Sequence, residues 1–190
     1  EEFQFMLVIK HNLIVFFLCI ISAHSIADIT QKNKINILLQ NLKKTENINN
    51  AKIIEKKIWS LWHKHPSNPN LTDKLELGMT IMDDGNYEFA LKIFDNIIEK
   101  DPMWAEAWNK RATLMYLIVK YDQSLKDIDS TLKIEPRHFG ALSGKIQILL
   151  KQKKYLMVLN NLKKLKMINP TRVNNNLIIE LEELVNGLNI

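Results

Sequence analysis

The chain has 190 residues, 46% of them hydrophobic and 25% charged, with a formal net charge of +5 at pH 7 and a pI near 9.2. That length and apolar content fit one elongated domain with a continuous core. The excess charge does not make a nucleic-acid face: Lys43-Lys44, Lys56-Lys57, Lys151, Lys153-Lys154 and Lys163-Lys164-Lys166 are scattered and set mostly at polar helical positions, as on solvated helix faces. No nucleic-acid partner is expected. The carboxyl-terminal third is more basic than the rest, which leaves room for an acidic partner or an anionic membrane surface.

The amino-terminal segment differs in character from the rest of the chain. Lys10-His11 is a short basic patch, Leu13 to Ile21 is uninterrupted and apolar, and Ser22-Ala23-His24-Ser25-Ile26-Ala27 offers small residues for cleavage. That order is the pattern of a secretory signal peptide, assigned to residues 1–27 with Met6 as its start and a mature chain from Asp28. The apolar run is about half of the ~20 residues a membrane span needs, so no stable span is expected after cleavage. A periplasmic or secreted protein is expected. Cys19 lies inside the run, where Phe17 and Leu18 precede it in place of the small residue that lipid anchoring wants. The mature chain would then hold no cysteine, which excludes disulfides and thiolate metal sites.

Residues 28–66 read as a degenerate helical hairpin capping the amino-terminal end. Its helices are expected over 31–44, with Ile35, Leu38, Leu39 and Leu42 in a stripe, and over 50–65, with Ile54, Ile58, Trp59, Leu61 and Trp62. Pro66-Ser67-Asn68-Pro69-Asn70 is a turn. Residues 71–170 then divide into three units, 71–104, 105–138 and 139–172, because Pro102, Pro136 and Pro170 recur every 34 residues. A period of about 34 is that of a repeating helix–turn–helix unit, and each proline marks a helix that has already stopped. Tyr87, Tyr121 and Tyr155 recur at the same interval and open the second helix of each unit. Residues 173–190 form a capping helix with Leu177, Ile178, Leu181, Leu184, Val185 and Leu188 on its apolar face.

The aligned columns carry a resemblance. Leu77-Gly78, Tyr87, Ala90, Phe94 and Pro102 in the first unit, Trp108, Ala112, Tyr121, Ser124, Ile128 and Pro136 in the second, and Leu142, Ile146, Tyr155, Val158, Leu162 and Pro170 in the third resemble the tetratricopeptide repeat (TPR). The resemblance implies an all-α fold: a right-handed superhelical solenoid of helix–turn–helix repeats whose first helices line a concave groove. By family position the groove presents Leu75, Met79, Met82, Asn109, Thr113, Tyr116, Ser143, Gln147 and Leu150, with Arg111 and Arg137 orienting a bound protein or peptide. Members that grip acidic chaperone tails use Lys, Asn and Arg where this chain has Leu75, Met79, Lys110, Gly140 and Gly144, so that clamp is not inherited. The segments Trp108–Thr113 and Pro136–Gly144 also resemble short exported bacterial TPR proteins, a likeness that brings no established activity.

Little else points to chemistry. His63 and His65, two residues apart, point to different sides of a helix end and make a poor metal pair; interaction with the helix dipole is the expected role. Asp83-Asp84-Gly85 lacks the further ligands of a calcium loop and reads as a turn. There is no phosphate-binding glycine loop and no nucleophile–base pairing, so no enzyme, cofactor or metal site is expected. Arg111 stands where the family has a buried leucine, and a guanidinium there needs a carboxylate; Asp127 and Asp129 are the candidates. Gly140, Ser143 and Gly144 weaken a helix start by about 1 kcal/mol per glycine relative to alanine. They either admit a ligand backbone or allow close helix packing.

Overall fold

The computed structural model describes residues 26–187, which leaves nearly all of the expected signal peptide outside the described residues. The described elements are helical, in the order α1 (26–44), α2 (Ile48–Trp62), α3 (Pro69–Asp83), α4 (Tyr87–Lys100), α5 (Ala105–Leu117), α6 (Tyr121–Ile134), α7 (Phe139–Lys151), α8 (Tyr155–Ile168), a 3-10 turn (Pro170–Arg172) and α9 (Asn175–Gly187). From α3 to α9 each helix packs on its neighbours in chain order, the arrangement of a helical solenoid. α4, α6 and α8 begin at Tyr87, Tyr121 and Tyr155, as the spacing required.

Helix ends follow local chemistry. Asn47 caps α2 by accepting the Asn50 amide on its side chain at 3.0 Å, so this helix begins and ends a little earlier than its apolar stripe suggested. α3 starts at Pro69, inside the segment read as a turn, because a proline loses nothing at the first helical position. Within each repeat the turn between helices reverses through a left-handed residue at a fixed register: Gly85 (φ 82°), Val119 (φ 63°) and Lys153 (φ 56°). Glycine adopts this conformation freely, and a β-branched valine does so at a cost of about 1–2 kcal/mol. Val119 is 66% exposed and packs little, so Val119→Gly is expected to raise stability by about 1 kcal/mol, readable as a higher thermal midpoint.

Three apolar clusters form the interior. One joins α3, α4 and α5 through Leu71, Leu75, Phe94, Ile97, Ala107 and Leu114. A second joins α5, α6 and α7 through Ala112, Ile128, Ala141 and Ile148. The third, and the largest, joins α1 and α2 not to the first repeat but to the last: Ile35, Leu39, Leu42, Ile58 and Trp62 share it with Phe139, Leu142, Leu162, Leu165 and Ile178. The helical pair expected over 28–66 is therefore present but does not stack as a cap on the first repeat. It lies along the edge where each repeat turns into the next, the edge marked by the three prolines. The physical reason is aromatic: Trp59 and Trp62 need a recess, and the glycine at 140 beside His138 and Phe139 supplies one.

At the other end α9 buries Ile178, Leu181 and Val185 against the third repeat, while Leu177 and Leu184 of the expected face remain exposed. Leu188 lies outside the described residues.

Candidate functional site

The hairpin is held by residues that recur at the repeat interval. Trp104, His138 and Arg172 occupy one column, 34 residues apart, at the start of successive first helices or their equivalent. The Trp104 indole N–H donates to the Trp62 carbonyl at 3.0 Å. His138 stacks on Trp62, with ring centroids 4.0 Å apart and planes 15° apart. Arg172 donates through Nε and Nη2 to the Glu55 carboxylate at 2.9 and 2.8 Å. Arg137 donates to Asn36 of α1 at 2.8 Å while holding both oxygens of Glu135. Each inter-repeat turn thus grips the hairpin at a different point.

Glu106 sits at the centre of this interface. Its side chain is wholly buried in the first turn of α5, where the helix dipole favours a negative charge. His138 Nδ1 accepts the Ala141 amide at 3.1 Å, which places the ring proton on Nε2, 2.9 Å from Glu106 Oε2. Lys110 Nζ lies 3.1 Å from Oε1, and Asn109 Nδ2 donates to the same carboxylate. His63 Nε2 lies 3.0 Å from Oε1 but off the line of a hydrogen bond. Burial alone would raise the Glu106 carboxyl; the His138 hydrogen bond, the approach of His63 and the charge of Lys110 together hold it well below the ordinary glutamate range. His65 repeats the pattern, accepting the Ser67 and Asn68 amides on Nδ1 and donating from Nε2 to Asp101 at 2.7 Å. Both histidines read as partners of a helix dipole are therefore partners of carboxylates. Among the described residues no group of three or more His, Cys, Asp or Glu has the geometry to hold a metal ion.

Beyond the hairpin, part of the groove stays open. A cavity of about 90 Å³ between α5 and α7 is lined by Asn109, Thr113, Tyr116, Gly144 and Gln147, with Ile128 and Ile148 beneath. A Cβ at Gly144 would meet only Ile128, at 3.6 Å, so this glycine leaves room on the groove wall. Gly140 differs: a side chain there would collide with the Trp59 ring, so this glycine serves close packing. Tyr116 leans on Tyr121 with centroids 5.6 Å apart and carries Lys151 Nζ over its ring at 5.9 Å. Gln147 is exposed and Leu150 is 40% exposed at the same end.

The remaining groove residues need correction. Leu75 (0% exposed) and Met82 (7%) offer no surface, because they pack into the cluster shared by α3, α4 and α5; Met79 is half-buried against that cluster. Asn109 is buried with its amide committed to Glu106, and Ser143 donates to the Phe139 carbonyl at 2.8 Å and accepts from Arg172. Arg111 makes the ion pair its position demanded: Nε and Nη2 donate to the two oxygens of Asp127 at 2.8 and 2.7 Å. Its Nη1 reaches Asp95 at 2.7 Å, and the guanidinium lies over the Trp108 ring. Asp129 pairs with Lys145 instead. Arg111 and Arg137 are thus engaged within the chain. Thr113, Tyr116, Gln147 and Leu150 are left as the accessible groove set.

From the sequence Trp59 and Trp62 are only members of a helix stripe, and nothing there marks Glu106 or His138 as their partners. A usable signal existed: Trp104, His138 and Arg172 are large, polar-tipped and in register.

No protein-family model matches the chain. Over 123 residues, 65% of its length, it is 33% identical to a TPR repeat-containing protein of Rhizobium etli, and it spans 60% of that protein.

Proposed function

We propose that the chain is a non-enzymatic scaffold binding a protein or peptide segment in the part of the groove its own hairpin leaves open: its consecutively packed helices and its likeness to a TPR repeat-containing protein support this, since such repeats generally hold other proteins. The observation that carries this reading is the cavity beside Gly144, where α5 and α7 diverge around Thr113, Tyr116 and Gln147. One small side chain of an extended segment fits there: Gln147 offers hydrogen bonds, the Thr113 hydroxyl, which donates to the Asn109 carbonyl, can accept one, and Tyr116 with Leu150 supplies apolar contact. The signal-like order of residues 1–27 supports a place in a bacterial envelope, periplasmic or secreted.

The test fills the cavity. Gly144→Leu starts from a Cβ in ordinary contact with Ile128 at 3.6 Å and raises helix propensity; an unchanged circular dichroism melt checks that folding is kept. Proteins captured from envelope extract by the full chain are expected to be lost with Gly144→Leu and with Tyr116→Ala. Capture that survives both changes rejects groove binding. It would favour the second reading, an architectural subunit of an envelope assembly that docks through its convex face or its ends. That reading has its own support in the hairpin, which already closes one end of the groove at Gly140.

A further inference from the structure

Charge is distributed steeply along the solenoid. The first repeat (71–104) carries eight acidic residues against three lysines, and the second (105–138) five acidic against six basic. The third (139–172) carries seven lysines and an arginine with no acidic residue, and none occurs anywhere between Glu135 and Glu180. The fold gathers much of this charge on the outer face of α8. The helical period sets Leu156, Met157, Asn160, Lys163, Lys164 and Met167 along one stripe, opposite the buried Val158, Leu162 and Leu165, and exposed Lys153 precedes the helix in its left-handed turn. Three apolar side chains on that stripe are open to solvent: Leu156 (41% exposed), Met157 (46%) and Met167 (62%). Lys43 of α1 joins Lys163 and Lys166 around Met167, so the hairpin extends the basic surface. The nearest acid is Glu182 of α9, which holds Lys163 at 2.6 Å; no salt bridge within the described residues engages Lys153, Lys164 or Lys166.

We propose that the outer face of α8, with Lys43 beside it, docks the protein on an anionic lipid bilayer. Two features favour a bilayer over an acidic polypeptide. Most of the face is the outward side of a helix, with an open recess only where Lys43 meets Met167, which suits a flat surface. Its flexible apolar side chains alternate with lysines, so the former reach the acyl boundary while the latter meet phosphate groups. This surface is separate from the groove, and its failure leaves groove binding untouched.

Co-sedimentation of the full chain with vesicles tests it. Vesicles of phosphatidylglycerol mixed with phosphatidylcholine are expected to retain the protein at least about tenfold better than phosphatidylcholine alone, with retention falling as salt rises. Lys153→Glu with Lys164→Glu is expected to abolish retention, and Met157→Ser with Met167→Ser to weaken it by about tenfold, all with unchanged circular dichroism melting. Equal retention on both vesicles overturns the proposal. So does retention that ignores the methionine changes while a soluble poly-glutamate displaces the protein, since that would mark a site for an acidic polypeptide.

Discussion

Glu106→Gln is expected to lower folding stability by about 3 kcal/mol, the scale on which a buried charge network fails when one member is removed. The glutamine keeps the volume and can still accept one hydrogen bond from His138. It gives no counter-charge to Lys110, and its amide turns a donor toward Asn109, from which the carboxylate had accepted, and toward nearby His63. Three parts of the fold meet at this carboxylate: His63 ends α2, Lys110 and Asn109 belong to α5, and His138 caps α7. The loss should therefore appear as a lower urea midpoint for the whole chain. The same group makes stability depend on pH. Its folded pKa lies below the value of 4.5 for a free glutamate, so its contribution is complete above that pH and is lost as pH falls through it. Urea midpoints taken on descending from neutrality should fall below about pH 4.5 and fall less in Glu106→Gln. Part of the slope should persist, because Glu55 is also held low: burial raises it, and Arg172 with Asn169 more than offsets that.

The second large effect concerns the hairpin. Trp62 is 6% exposed, stacks on His138 and packs against Trp59 and Phe139. Trp62→Ala is expected to cost about 3–5 kcal/mol. The clusters joining α3 to α7 do not include the hairpin, so the loss should be unequal along the chain. Hydrogen exchange should speed up in α1 and α2 and at the start of α7, while α3, α4 and α6 keep their protection. Proteolysis should open the turn between α2 and α3. Uniform loss of protection would mean that the hairpin is not a separable layer.

Much of this architecture is legible in the sequence, and for local reasons. Prolines and tyrosines at a 34-residue interval fix where helices stop and start, because proline lacks an amide and restrains its predecessor. The Arg111–Asp127 pair is legible because a cation in an apolar column must find an anion on the facing helix, 16 residues away. The place of the hairpin is not. Trp59 meets Gly140 some 80 residues later, and nothing in the periodicity of either helix states that distance. The two glycines look alike in sequence, yet Gly140 is filled by a tryptophan of the same chain and Gly144 is open. Leu75 and Met82 escape a reading by family position because a place that faces a groove in the repeat family is here packed into the neighbouring repeat.

Gly140→Ala, measured by urea unfolding with Trp59 intact and with Trp59→Ala, bears most directly on the hairpin's position across the repeats. With Trp59 present the added methyl collides with the indole and should destabilise the fold. With Trp59→Ala that collision is gone and only a 3.3 Å approach to His138 Cε1 is left, so alanine in a helix should then gain up to about 1 kcal/mol over glycine, less what the His138 ring must yield. A reversal of sign between the two backgrounds is the predicted result; the same effect in both would contradict the contact and, with it, the closure of the groove by the chain's own amino-terminal helices.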